Sequence, residues 1–211
     1  MFQNRREAGQ ALAQELSDYA DRDDVVILGL PRGGVPVAYE VAEALGAPLD
    51  VFVVRKLGVP RNPELAMGAI ASGDVRVTND DVLRMSGVSD EQIERVVEEE
   101  RQKLKDREEI YRGARPRVDL KGKTVLLIDD GLATGATMRA AVRALHEHNP
   151  ETIIVAVPTA PPETCSEFED LVSDIICLET PRSFMGVGGA YRDFSQTTNE
   201  QVRELLEKAN Q

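Results

Sequence analysis

Along this chain, stretches whose apolar residues recur every three or four positions alternate with short runs that are apolar throughout. Asn4 to Tyr19 carries Ala8, Leu12, Leu16 and Tyr19 at helical spacing, which predicts an amphipathic first helix. Val25 to Gly29 is continuously apolar, the mark of a strand covered on both faces. Val35 to Leu45 returns to the helical period and ends at Gly46 as a C-cap, and Leu49 to Val54 reads as a second buried strand. The rhythm resumes with a strand at Thr124 to Ile128, a helix at Thr137 to His146, and strands at Thr152 to Val157 and Ile175 to Leu178. Such an alternation predicts an α/β fold built on a doubly wound parallel sheet.

Two stretches break the rhythm. Leu57 to Leu65, with two prolines, a glycine and charged residues, predicts an exposed, mobile loop. Ser89 to Tyr111 predicts a long helix capped by its serine, with Ile93, Val96, Val97, Leu104 and Ile110 inward and a charged, solvated outer face. After Pro181 the tail FMGVGGAYRDF and a capped helix from Thr198 to Lys208 read as a cover over one edge of the sheet.

Composition narrows the classes. The 211 residues are 42% hydrophobic and 29% charged, enough apolar material for a core, which excludes disorder and fibrous architectures. A formal charge of −12 argues against nucleic acid as a partner, because phosphate neutralisation draws on clustered Lys and Arg. No apolar run approaches the roughly 18 residues of a membrane span, and the opening MFQNRREAGQ does not resemble a signal peptide, so the chain is read as cytoplasmic with no membrane partner. Cys165 and Cys177 lie outside CxxC spacing and are expected as reduced thiols, with a disulfide the unneeded alternative. His146 and His148 fall at a helix end, where carbonyl or solvent contacts are expected rather than metal.

The segment Val125 to Thr137, VLLIDDGLATGAT, concentrates the chemistry: a buried strand, two carboxylates at its end, a Gly/Thr-rich turn, then a helix. Beyond the carboxyl end of a parallel strand is where such sheets bind ligands. Backbone amides of Ala133, Thr134, Gly135, Ala136 and Thr137, with the two threonine hydroxyls, are suited to wrapping a phosphate at the helix N-terminus. Asp129 and Asp130 would repel that phosphate, so they must face sugar hydroxyls, a metal ion, or both.

This segment resembles the phosphoribosyl-diphosphate (PRPP) signature of type I phosphoribosyltransferases, in the adenine-type version DDGLATGATM. Gly131 departs from it, since the family usually has an apolar residue there. Ala133 also departs, since 6-oxopurine transferases carry an aspartate at that position. The resemblance implies one domain over 1–211, with a core at about 25–178 and a hood from about 1–22 and 181–211. It also implies Mg2+ as cofactor, with Asp129 and Asp130 holding it directly or through water, and relatives that commonly form homodimers. Gly29 to Gly34, GLPRGG, then corresponds to the pyrophosphate loop: Gly33 and Gly34 let the backbone approach an anion, and Arg32 supplies charge. The second strand delivers Arg55 and Lys56 to the same margin, and Arg61 belongs to the loop expected to close over substrate. Phe184, Tyr191 and Phe194 gather where the family positions its base-binding cover, with Phe184 and Tyr191 as candidate contacts.

The implied reaction transfers ribose 5-phosphate from PRPP to a nitrogenous, nucleobase-like acceptor and releases pyrophosphate. Asp129, Asp130, Lys56 and Arg32 are the expected catalytic groups, with Gly33, Gly34 and the 133–137 turn binding substrate. The alternative is a non-catalytic PRPP- or nucleotide-sensing regulator with the same pocket. A metal-dependent hydrolase would need further ligands at the sheet ends, and none stands out. Neither GxxxxGK[ST] nor GxSxG occurs, which sets aside nucleoside-triphosphate hydrolases and serine hydrolases.

Overall fold

Five parallel strands form the central sheet in the computed structural model, which describes residues 1–211. In chain order they are β1 (Val25–Gly29), β2 (Leu49–Val51), β6 (Thr124–Ile128), β7 (Thr152–Thr159) and β8 (Asp174–Glu179). A separate antiparallel sheet holds β3 (Val54–Val59), β4 (Asn62–Ala71) and β5 (Val75–Thr78). The helices are α1 (Arg5–Glu15), α2 (Gly34–Leu45), α3 (Asp80–Ser86), α4 (Asp90–Arg112), α5 (Ala136–His146), α6 (Pro162–Ser166) and α7 (Asn199–Ala209).

The central order is β2-β1-β6-β7-β8, and Gly29 pairs with Val51 on one side and Ile128 on the other. Every residue of β1 and β6 is buried because both faces are covered. Ile27, Leu126 and Ile128 pack towards α1, α2, α4 and α7, whereas Val26, Val125 and Leu127 pack towards α5 and the 160–172 segment. The α2 crossover lies on one face and α5 on the other, so strand order reverses between β1 and β6. At that point the two outgoing loops diverge and leave a crevice, the usual ligand site of an open α/β sheet.

Several expectations need correcting. The second strand splits: β2 stops at Val51, and Val54 begins another sheet. Leu57 to Leu65, expected as a loop, lies instead mostly in the β3–β4 hairpin. Alternate residues Leu57 and Val59 bury on one side, and Gly58 lets the strands close, since a Cβ there would lie 2.6 Å from Pro63 O. Only the tip, Pro60 to Leu65, stays exposed. In α4, Ile110 points to solvent and Tyr111 is buried in its place, because the inward row runs through Ile93, Val97, Leu104, Glu108 and Tyr111. The charged face of α4 is not wholly solvated: Arg112 is buried and its Nε reaches Asp50 of β2 at 3.0 Å, while Glu108 accepts from Arg112 Nη1 at 3.3 Å. Cys165 and Cys177 are not separate thiols but form a disulfide, because α6 folds back beside β8. No helix is long and apolar enough to cross a membrane.

Candidate active site

The loops that leave β1 and β6 touch each other. A Cβ on Gly33 would lie 2.0 Å from Asp130 Oδ2, and one on Gly34 would lie 2.7 Å from Ile128 O and 2.8 Å from Asp129 Cα. Glycine is therefore required at both places by close approach: the loop 30–33 lies on the acidic pair. The peptide bond between Pro31 and Arg32 in this loop is cis. Arg32 is half-buried beside these glycines and has no carboxylate within ion-pair distance.

Asp129 and Asp130 are both half-buried at the end of β6. Asp130 N donates to Asp129 Oδ1 at 2.8 Å, and Arg5 Nε donates to Asp130 Oδ2 at 2.8 Å. No backbone or basic side-chain donor meets the second oxygen of either carboxylate, which leaves two hard oxygen donors at the end of β6. That donor set fits Mg2+, which favours one or two carboxylates completed by water and substrate oxygens. Burial, then the neighbouring Asp130 charge, pushes the Asp129 carboxyl well above the usual carboxylate range.

Past the acidic pair, Gly131 has no room for a side chain: a Cβ would lie 2.7 Å from Val187 Cγ1 and 2.9 Å from Thr159 Cγ2. A 3-10 turn of the tail, Val187–Ala190, thus fills the space that an apolar residue would occupy. Gly135 has φ +67° and opens α5, whose first turn contains no acidic residue. Ala133, Thr134, Ala136 and Thr137 are exposed around it, and the only protein partner of their amides is a 3.5 Å contact from Ala136 N to Thr134 Oγ1. The turn presents unspent donors at the positive end of a helix.

Residues that sequence reasoning missed brace this turn. Arg139 Nη2 donates to Thr134 O at 2.6 Å while its Nη1 holds Glu167 at 2.6 Å. Thr164 Oγ1 donates to Ala133 O at 3.1 Å, and the Phe168 ring lies against Gly135. Of these only Arg139 lies near the motif, and nothing marks its role before the 160–172 segment is placed.

The two cations of β3 separate. Successive residues of a strand face opposite ways, so Arg55 turns to α4 and pairs with Glu100 at 2.6 Å, whereas Lys56 does not. Lys56 instead borders a cavity of about 220 Å³ between the small sheet and α5, whose lining includes Val54, Ala69, Thr137, Arg139 and Arg143 and no carboxylate. Lys56 Nζ donates to Glu64 O at 2.8 Å, across the hairpin. Arg61 is exposed at the hairpin turn.

The hood is a zipper of both chain ends. Phe2 bridges Tyr191 as a short parallel pair, with Phe2 N donating to Ala190 O at 2.8 Å and Arg192 N to Phe2 O at 2.9 Å. The stacking face expected of Tyr191 is occupied: its ring is buried between Phe2 and Phe194, and its hydroxyl donates to Asp130 O at 2.6 Å. Burial, then the Asp130 charge, raises its phenol. Phe184 is half-buried and stands outside this ring stack. His146 and His148 contact carbonyls as expected, Leu171 O at 3.2 Å and Ser72 O at 2.9 Å.

With this geometry established, the family model for the phosphoribosyl transferase domain matches residues 2–192. The chain belongs to the phosphoribosyl transferase domain family. Among curated relatives, a Mycobacterium tuberculosis (strain CDC 1551 / Oshkosh) protein provisionally named a phosphoribosyl transferase is 44% identical over 210 residues, covering 100% of this chain and 47% of its own length. The chain thus spans about half the length of the curated relatives it matches from end to end. The bifunctional protein PyrR of Clostridium acetobutylicum is 32% identical over 136 residues, 64% of this chain and 57% of that protein. Among solved structures, TT1426 from Thermus thermophilus superposes with a TM-score of 0.87 at 42% identity, covering 98% of each chain. The α/β fold with its parallel sheet is that of this phosphoribosyl transferase family.

Proposed function

We propose that the chain transfers ribose 5-phosphate from PRPP to a ring nitrogen of a nucleobase-like acceptor and releases pyrophosphate. The observation that carries this reading is the contact between Gly33-Gly34 and Asp129-Asp130: an anion-binding backbone loop and a sugar-binding acidic pair meet at one point of the sheet margin. A phosphate turn with free amides lies immediately downstream.

In this reading the 5′-phosphate sits on the amides of Thr134 to Thr137 at the start of α5, where the helix dipole favours an anion. The free oxygens of Asp129 and Asp130 take the ribose hydroxyls. As the C1′–O bond breaks, its electron pair leaves with pyrophosphate and positive charge develops on the sugar, which the acidic pair favours electrostatically. The acceptor nitrogen then forms the C1′–N bond, and its proton departs to pyrophosphate or solvent. Arg32 and the Gly33-Gly34 backbone receive the leaving group. Lys56 and Arg61 approach as the exposed hairpin tip closes and excludes water. Asp129 and Asp130 would hold Mg2+ directly or through water, and the ion would supply charge neutralisation for the diphosphate when bound. Positioning and electrostatics provide the acceleration, and no covalent intermediate is needed.

Pyrophosphate release from PRPP and Mg2+ is to be followed with adenine, guanine, hypoxanthine, xanthine, uracil and orotate in turn. Release dependent on one base is expected and names the acceptor. PRPP binding with no release under any of these conditions would instead support the sensing role.

A further inference from the structure

Asp130 is gripped at two points by the hood. Tyr191 holds its main-chain carbonyl at 2.6 Å, and Arg5, the first residue of α1, holds side-chain oxygen Oδ2 through Nε at 2.8 Å. Both ionic side chains are largely shielded, Arg5 at 12% exposure and Asp130 at 14%. Arg5 is itself fixed: Nη1 donates to Ser195 O at 2.8 Å, and the guanidinium lies 4.0 Å from the centroid of the Phe194 ring. The zipper of residues 2–3 with 190–193 fixes the register of these two segments. Two contacts, to Ser195 O and to the Phe194 ring, therefore fix one guanidinium, and the guanidinium restrains one carboxylate oxygen.

We propose that Arg5 is a positioning residue for the sugar-binding carboxylate. This inference rests on the phosphoribosyl reading given above. By occupying Oδ2, Arg5 fixes the rotation of the Asp130 side chain and leaves Oδ1 as the oxygen that meets a ribose hydroxyl. It also compensates one of two adjacent carboxylates, so that a ligand already carrying phosphate charge can approach them. Lysine cannot reproduce the arrangement, because a single ammonium lacks the planar fork that spans Asp130 and Ser195 O while lying on an aromatic ring. Arg5 makes no hydrogen bond or ion pair with the turn at Ala133 to Thr137, so the role is confined to the sugar.

Titration calorimetry with ribose 5-phosphate and, separately, with inorganic phosphate distinguishes this role from a structural one. Arg5→Gln is expected to weaken ribose 5-phosphate by about 10–100-fold, the usual cost of losing a group that orients a ligand-binding residue, and to leave inorganic phosphate unchanged. Arg5→Lys, which keeps the charge and guards against a folding defect in the glutamine variant, is expected to fall between the two. In an Asp130→Asn background, Arg5→Gln should add little, since its effect passes through that carboxylate. Equal weakening of both ligands, no weakening of either, or full additivity with Asp130→Asn would overturn the assignment. If the wild-type chain binds neither ligand, the phosphoribosyl reading fails. If wild type and Arg5→Gln bind both alike, only the role of Arg5 fails.

Discussion

A methyl group on Gly33 would fall on a carboxylate oxygen of Asp130, yet the backbone there, at φ −63° and ψ −33°, suits any residue. The glycine is required by the partner loop and not by its own conformation. Gly33→Ala is accordingly expected to push the Asp130 carboxylate aside, weakening PRPP binding by at least about tenfold in calorimetry, because misplacement of about 1 Å at a reacting centre is costly. Thermal melting is expected to fall as well, since the displaced carboxylate loses its shielded pair with Arg5, so affinity is to be read at a temperature where the variant is folded. Unaltered PRPP affinity would show that the loop does not bear on the acidic pair. At this scale the motif residues were legible because strand, acidic pair and Gly/Thr turn are contiguous in sequence. Arg5 was not, since it lies 125 residues from its partner and an arginine in an amphipathic helix ordinarily reads as solvated.

Among the elements, the β3–β4 hairpin is the one that positions Lys56 and Arg61, and it is tied to α4 by the pair of Arg55 with Glu100. Burial raises the Glu100 carboxyl, but hydrogen bonds from Lys103 and Arg55 outweigh it and hold the group below its usual value. A carboxylate with a depressed folded value contributes stability above its unfolded value near 4.5 and loses it as pH falls. The stability difference between wild type and Glu100→Gln, read from denaturant unfolding, should be at most about 1 kcal/mol at neutral pH and vanish in acid. A difference that grows on acidification would contradict the assignment. The hairpin escaped sequence reading because Gly58, Pro60 and Pro63 are loop formers by composition, whereas Leu57 and Val59 are buried by a period-two pattern too short to stand out. The charged run of α4 concealed Glu100, Glu108 and Arg112 in the same way: helical periodicity marks apolar positions and is silent on which charges find buried partners.

For the whole molecule, the parallel sheet was legible because continuous apolar runs such as Val25 to Gly29 and Val125 to Ile128 are too short for helices and read as strands buried on two faces. Strand order was not legible, and the crevice depends on it: β1 and β6 become neighbours across nearly a hundred residues, which brings GLPRGG onto DDGLATG. The Cys165–Cys177 disulfide and the hood zipper likewise depend on where distant segments return. The central claim is that one sheet margin joins an amide turn, an acidic pair and a cationic loop into a single ligand site. Its most direct test is calorimetric titration of the chain, in Mg2+, with PRPP, ribose 5-phosphate and pyrophosphate. Because the three groups would engage one molecule together, PRPP should bind one-to-one and at least about tenfold more tightly than either fragment. PRPP binding no tighter than pyrophosphate alone would contradict the account.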